Sequence, residues 1–423
     1  MTKPKIIHGD CLDVLKRLDD NSIDAVITDP PYGLSNTKPA QVADVLKAWV
    51  TGNTEAVPTK RGGFMGEEWD SFVPPPAVWE ECMRVLKPGG HMAVFAGART
   101  QDLMGLSIRL AGFEIRDALG WIYGSGFPKS LDVSKAIDKA AGAEREVVGR
   151  RTGAQSKATA AMRSFGNDRG DGKSEFDITA PATDEAKRWD GWGTALKPAI
   201  EPIILARKPL AGTVANNVLE HGVGGLNIDA CRVGNEKRFN SPAVAKKGTF
   251  NCSFDSDYTG AEVTGRFPAN VLLDEHAAVE VDKQSGVSVS REGNRGLQTS
   301  GQHAGLGGDD MNVKPGTDSV RGHNDSGGAS RFFPVFKYQA KAPKKERPII
   351  EREDGTKIQH ATVKPLALME WLVSLIVPPG GVVLDPFAGT GTTLQAALNK
   401  GFAPIGIEQG ADYIKLIEKR LGQ

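Results

Sequence analysis

Val382-Val383-Leu384-Asp385-Pro386-Phe387-Ala388-Gly389-Thr390-Gly391-Thr392-Thr393 decides the fold. Four residues, three of them apolar, read as a short buried strand. A glycine-bearing loop follows, and then a helix over Thr393 to Lys400. Glycines between a strand and a helix let the backbone approach a ligand where a Cβ would collide. A dinucleotide loop would want a further Gly or Ala three residues after the second glycine. Leu394 stands there, which disfavours an NAD site. Ala403 to Ile407 reads as the next strand, ending at Glu408, where a carboxylate can accept both hydroxyls of a ribose. The loop and Glu408 together point to a nucleoside ligand. The bland alternative is a tight βα turn with a solvated glutamate.

Outward from this stretch, Leu366 to Val377 reads as an apolar helix and Tyr413 to Leu421 as a closing helix. At the other end of the chain, Ile23 to Thr28 is short, rich in β-branched residues and stopped by Asp29-Pro30-Pro31. Val78 to Leu86 has helical spacing, Lys87-Pro88-Gly89-Gly90 reads as a turn, and His91 to Ala96 as a second strand. A helix over Thr100 to Ala111 and one or two strands within Phe113 to Tyr123 follow. Strand and helix alternate, so the expectation is an α/β fold with a mainly parallel sheet.

The middle of the chain is different. From about Pro128 to Pro343 it is rich in Gly, Ser, Asn, Asp and Thr, and periodicity is hard to find. Two pieces look more ordered, Pro198 to Leu210 and Arg266 to Asp274. The resulting division is 1–127 as the first half of the core, 128–186 as an insertion and 187–212 as a core strand region. A second insertion covers 213–345, and 346–423 forms the other half of the core. The two ordered ends are expected to be halves of one sheet.

Asp29-Pro30-Pro31-Tyr32 lies at the carboxyl end of its strand, the edge where open α/β sheets bind ligands. Its chemistry suits an exocyclic amine. Such a nitrogen is a poor nucleophile because its lone pair is delocalised into the ring. Two acceptors on its two N–H groups draw it towards a tetrahedral, more nucleophilic state. The Asp29 carboxylate is one acceptor and the Pro30 carbonyl the other, and the prolines Pro30 and Pro31 fix the backbone so that both point one way. Tyr32 offers an aromatic face for an extruded base.

The pairing of DPPY with FAGTGTT resembles the β-class DNA amino-methyltransferases, which modify N6 of adenine or N4 of cytosine. The motif order matches: catalytic corner first, long insertion, cofactor loop last. The resemblance covers roughly half the chain. It implies a Rossmann-like AdoMet-dependent methyltransferase fold with circularly permuted motif order and a large irregular insertion. It implies S-adenosyl-L-methionine (AdoMet) as cofactor and double-stranded DNA as partner. Asp29, Pro30, Pro31 and Tyr32 take the catalytic role. Asp385, Phe387, Ala388, Gly389, Thr390, Gly391, Thr392 and Thr393 take the cofactor loop, and Glu408 the ribose. Asp10, in His8-Gly9-Asp10, matches the acid that bonds the cofactor's adenine amine. His360-Ala361-Thr362-Val363-Lys364-Pro365 resembles the family's H-x-T-x-K-P segment, placing Thr362 and Lys364 at the cofactor's methionine part. Lys197-Pro198-Ala199-Ile200-Glu201-Pro202 resembles a late core strand.

DPPY rather than SPPY leans towards adenine N6, with cytosine N4 as the alternative. A relative acting on RNA or a protein amide would place the cofactor loop before the N-P-P-Y motif. A non-catalytic binding module that keeps the fold is the rival of a different class. The resemblance leaves open a homodimer and a cognate restriction enzyme. Arg145, Arg150, Arg151, Lys157, Arg163, Arg291, Arg295, Arg321, Arg331, Lys344, Lys345 and Arg347 are candidates for phosphate contacts as a set.

Composition bounds the rest. Of 423 residues 39% are hydrophobic and 25% charged, with 52 basic and 52 acidic side chains, so no global basic field draws the protein to nucleic acid. Cys11, Cys82, Cys231 and Cys252 have no C-x-x-C spacing, and no Pro-Cys pair supports covalent attack on a pyrimidine ring. No metal-ligand spacing occurs among the seven histidines. Gly170 to Ser174 ends like a phosphate-binding loop but has Asn167 where the first glycine belongs. Neither a signal sequence nor a membrane span is evident, so the expected compartment is the cytoplasm and no membrane partner is expected.

Overall fold

The computed structural model describes residues 3–35, 37–58, 70–124, 126, 130–154, 173–240, 261–290, 293–294, 320–321, 325–336, 347–352, 354–360 and 363–422. Two compact units divide the chain. One combines Met1–Ser125 with Ile200–Gln423, and the other is Gly126–Ala199.

The larger unit is built on a nine-stranded sheet. Its strands are β1 (Lys5–His8), β2 (Ile23–Thr28), β3 (Leu86–Phe95), β4 (Glu114–Ile122), β5 (Ile200–Arg207), β6 (Val271–Asp274), β7 (Val335–Phe336), β8 (Val382–Asp385) and β9 (Ala403–Glu408). Their order is β1-β9-β8-β2-β3-β5-β4-β6-β7. Every neighbouring pair is parallel except the two made by β5, which runs antiparallel to both β3 and β4. The fold is therefore α/β with a mainly parallel sheet, as expected. The ends of the polypeptide meet in it: β9 pairs with β1, and β8 with β2.

Successive residues of a strand face opposite sides of a sheet. Met92 and Val94 of β3 enter one apolar cluster, Ala93 and Phe95 the other. The first face is covered by α1 (Cys11–Leu15), a helix over Pro39–Val50, α2 (Pro76–Val85) and α3 (Gln101–Leu110). The second is covered by α4 (Leu366–Ile376) and α5 (Thr392–Asn399). A last helix, α6 (Ala411–Leu421), sends Ile417 into a smaller cluster with Ala388 and Leu394. Trp79, Phe95, Ile27 and Leu368 are among the largest fully buried side chains. Each such side chain contributes about 1.5–3 kcal/mol relative to exposure.

Two sequence expectations change. Lys87-Pro88-Gly89-Gly90 is not a turn between elements but part of β3. The irregularity survives as a register shift: Ile23 pairs with Leu86, yet Ala25 pairs with His91. Phe113 to Tyr123, read as one or two strands, holds one. The stretch 213–345 supplies β6 and β7 to the main sheet, because Leu272 and Leu273 are buried there. Most of the remaining boundaries agree to within one or two residues. In the smaller unit, Val147–Ala154 and Lys173–Thr179 form an antiparallel pair, flanked by helices Val133–Ala140 and Asp184–Arg188. The phosphate-loop look-alike at 170–174 falls largely outside the described residues.

Candidate active site

Because β2 and β8 are parallel neighbours, the corners that follow them leave the sheet at the same edge. They are tied together there. Thr28 Oγ1 donates to Asp385 Oδ1 at 2.7 Å, and Thr393 Oγ1 donates to Asp385 Oδ2 at 2.6 Å. The Phe387 amide also donates to Asp385 Oδ1, at 3.1 Å. Burial pushes the Asp385 carboxyl up to about 6 against these donors. Its oxygens serve the protein, so Asp385 contributes to a ligand site by shaping the loop.

The loop itself is tightly built. Gly389 and Gly391 adopt φ of 54° and 74°, left-handed values that a side chain rarely takes. At Gly391 a Cβ would lie 2.9 Å from Ile417, so the position is closed sterically as well. Ala388, Thr390, Thr392 and Thr393 are buried side chains. Thr390 holds Arg420 through its carbonyl, at 2.6 Å. These four residues can therefore reach a ligand chiefly through their backbone. Phe387 is partly buried, with its ring 6.4 Å from that of Trp79.

Glu408 closes the loop from the next strand. One carboxylate oxygen accepts the Gly389 amide at 2.8 Å and the other the Gly410 amide at 2.7 Å. Burial raises its carboxyl above the usual range, opposed by these amides. A carboxylate has about four acceptor sites, so lone-pair capacity remains for a hydroxyl of a ligand. His8 pairs with Glu408 across β1 and β9, which brings Asp10 to the same edge. Asp10 caps α1, its Oδ1 accepting the Leu12 and Asp13 amides at 2.9 and 3.3 Å. The His360 ring packs near Gly389 and lies 4.8 Å from the Tyr413 ring. Thr362 lies outside the described residues.

The Asp29–Tyr32 corner is held equally firmly. Asp70 accepts the Tyr32 and Gly33 amides at 2.7 and 2.9 Å, and Thr100 Oγ1 donates to the Tyr32 carbonyl at 2.6 Å. Tyr32 Oη donates to Asp29 Oδ1 at 2.8 Å. Burial, then Asp29 and Glu201, push the phenol well above its ordinary range, so it keeps its proton.

Lys364 reaches into this corner. Its ammonium lies 2.8 Å from Asp29 Oδ2, 3.2 Å from Glu201 Oε2 and 3.0 Å from Tyr32 Oη. It also sits over the Phe95 and Tyr32 rings, at 4.9 and 5.2 Å. Burial alone would lower its pKa, but Asp29 and Glu201 outweigh burial and raise it. The sequence reading placed Lys364 with the cofactor's methionine part; within the protein its ammonium contacts Asp29, Glu201 and Tyr32.

Glu201 was missed as a site residue. It is the only acid in Ile200–Arg207, a strand whose residues from Pro202 onward are buried. That isolated carboxylate beside Pro202 was the available signal. Asp70 carried none, since it lies in an irregular stretch far from both motifs. Of the basic residues read as phosphate contacts, Arg145 is spent on Asp138 at 2.6 Å and Arg331 on the carbonyls of Gly327 and Gly328. Lys157, Arg163, Arg291, Arg295, Lys344 and Lys345 lie outside the described residues. Among the described residues no cluster of three or more His, Cys, Asp or Glu could hold a metal ion, and no helix is long and apolar enough to cross a membrane.

This geometry coincides with a recognised sequence family. The DNA methylase model for N6 and N4 enzymes matches residues 23–142 and 273–419, more than half of the chain. The chain belongs to the N6/N4 DNA methylase family. The matched segments of this methylase contain Asp29, Lys364, the 385–393 loop and Glu408, but neither Asp10 nor Glu201. The type II methyltransferase M.HindIII of Haemophilus influenzae is 23% identical over 440 residues, covering 99% of this chain and 94% of that protein. Other relatives match only a short segment. M.HinfI of Haemophilus influenzae is 47% identical over 77 residues, 18% of this chain and 21% of its own length. The DNA adenine methyltransferase YhdJ of Escherichia coli is 45% identical over 62 residues, 15% of this chain and 21% of its own length. Among solved structures, the cytosine-N4-specific PvuII DNA methyltransferase aligns at 12% identity with a TM-score of 0.40, covering 99% of this chain and 87% of that one.

Proposed function

We propose that this methylase transfers a methyl group from AdoMet to the exocyclic amine of a base swung out of duplex DNA, and that the base is adenine with N6 as the acceptor. The observation that carries the reading is the Thr28–Asp385 bond. It holds the Asp29 corner and the glycine loop at one edge of the sheet, so a ligand on one faces a ligand on the other. The residues present fit the cofactor. Glu408 offers oxygens to two hydroxyls, Asp10 a carboxylate to an amine, and the 387–391 backbone a close approach. AdoMet, when bound, supplies an electrophilic methyl group on a sulfonium.

The chain's own residues do the rest by positioning and electrostatics. Asp29 accepts one N–H of the target amine, and the Pro30 carbonyl accepts the other. The amine lone pair is thereby localised. With AdoMet bound, the nitrogen would take the methyl carbon while the carbon–sulfur bonding pair stays on sulfur, and the surplus amine proton would pass along its hydrogen bond to the Asp29 carboxylate and on to solvent. Tyr32 presents its ring to the base, while its hydroxyl holds the Asp29 rotamer. The Asp-Pro-Pro-Tyr form favours adenine, and a short-segment relative is named a DNA adenine methyltransferase. Cytosine N4 is the second reading, because the same acceptors suit its amine.

The test is expression in a methylation-free host with modified bases mapped across the genome by single-molecule sequencing. N6-methyladenine at a defined site is the expected result. N4-methylcytosine would replace the adenine reading, and unmodified DNA would leave only the non-catalytic module. In vitro, Asp29→Ala is expected to bind AdoMet normally and to lose about 10²–10³-fold in transfer rate. Full activity in that variant would remove Asp29 from the mechanism.

A further inference from the structure

Lys364 poses an electrostatic problem for the reaction just described. Its ammonium contacts Asp29 Oδ2 at 2.8 Å, and Asp29 is the carboxylate assigned to the target amine. Taken alone, Asp29 and Lys364 form a neutral pair. Such a pair is a weaker acceptor than a free carboxylate, because the ammonium draws on the same lone pairs. It also carries no net charge. Methyl transfer needs both, since positive charge moves from sulfur to the amine nitrogen as the new bond forms.

Glu201 changes this balance. It arrives on β5, the antiparallel strand between β3 and β4, and its Oε2 lies 3.2 Å from the Lys364 ammonium. The same oxygen lies 3.4 Å from Tyr32 Oη, which in turn donates to Asp29. The cluster thus holds two carboxylates, one ammonium and a neutral phenol, a net charge of −1. All four groups are largely shielded: the Lys364 side chain is 11% exposed, and Asp29 and Glu201 are 23% and 27% exposed. In such surroundings one unit of charge acts more strongly than in bulk water.

We propose that Glu201 is a positioning residue for methyl transfer: it shares the Lys364 ammonium with Asp29 and so restores the negative charge that Lys364 would otherwise cancel beside the target amine. Lys364 keeps the Asp29 carboxylate oriented and prevents two acids from repelling one another. Glu201 keeps that same lysine from neutralising the site. Developing positive charge on the nitrogen then meets a net negative cluster already in place, with no reorganisation during the step. This rests on the methyl-transfer reading above.

Charge counting supplies the test. Single-turnover transfer of a tritiated methyl group from AdoMet to unmethylated plasmid DNA is measured for the wild type, Glu201→Gln, Glu201→Asp, Lys364→Met and the double variant Glu201→Gln/Lys364→Met. Glu201→Gln leaves the cluster neutral and is expected to slow transfer about 10–100-fold. AdoMet affinity, measured by calorimetry on the same protein, is expected to stay within about twofold. Glu201→Asp is expected to recover part of the rate. The double variant returns the cluster to −1 and is expected to be faster than Glu201→Gln. A purely structural role predicts the opposite order, with the double variant the slower of the two. Glu201→Gln at the wild-type rate, or a double variant no faster than Glu201→Gln, would overturn the proposal. A wild type that transfers nothing to DNA would instead overturn the methyl-transfer reading, and Glu201's role with it.

Discussion

Thr28 and Asp385, 357 positions apart in the sequence, share a buried 2.7 Å hydrogen bond that joins β2 to the end of β8. Thr393 completes the arrangement from the start of α5. Three groups from β2, β8 and α5 therefore fix how the two halves of the site face one another.

Asp385 makes that junction sensitive to pH. Burial pushes its carboxyl up to about 6, from an ordinary value near 4. The folded state then holds the proton more tightly than the unfolded state, so stability is lost as pH rises from about 4 to about 6, by about 3 kcal/mol. Asp385→Asn removes this contribution. Urea unfolding across that range is expected to show the wild type losing stability relative to the variant as pH increases. A constant difference between them would contradict it.

His91 acts in the opposite sense. Burial first, then Arg207 and Arg116, push its imidazole down to about 4. The unfolded chain takes up a proton near 6.5 that the folded chain refuses, so stability is lost as pH falls from about 6.5 to about 4, by about 3 kcal/mol. His91→Gln is expected to flatten the acid limb of the unfolding curve. Direct titration of His91 by NMR, giving an ordinary value, would end the argument.

Glu408→Ala removes the acceptor of two backbone amides and both oxygens assigned to the ribose. AdoMet affinity is expected to fall about 10–100-fold by calorimetry, a loss of about 1.4–2.8 kcal/mol. DNA affinity in a gel-shift assay is expected to be unchanged. Wild-type AdoMet affinity would move the ribose elsewhere.

Gly391→Ala places a side chain at φ 74° and a Cβ 2.9 Å from Ile417. A loss of about 1–3 kcal/mol is expected in thermal or urea unfolding. Weaker AdoMet binding is expected with it. A variant as stable as the wild type would mean that the loop relaxes freely.

Much of this sheet was legible because β2, β8 and β9 are short apolar runs ended by Asp-Pro or an acid, and a buried parallel strand is written that way. The glycine loop was legible for the same reason that Gly391→Ala is costly. The Lys87–Gly90 segment was misread because glycine and proline mark both turns and bulges, and only the partner strand distinguishes them. β6 showed in the sequence as the apolar end of Arg266 to Asp274, whereas β7, two residues long, is too short to announce itself within a polar stretch. Glu201 stayed hidden because its significance depends on Lys364, which reaches it only in three dimensions. A single acid in a strand carries no signature of its partner.

The interleaving of β8 and β9 between β1 and β2 also bears on synthesis. On the ribosome, β1 and β2 emerge early and have no neighbours on their facing edges until residues 382–408 follow. The nascent protein carries open strand edges through most of translation, a state prone to mispairing. A message broken before codon 382 would yield a product that cannot close its own sheet.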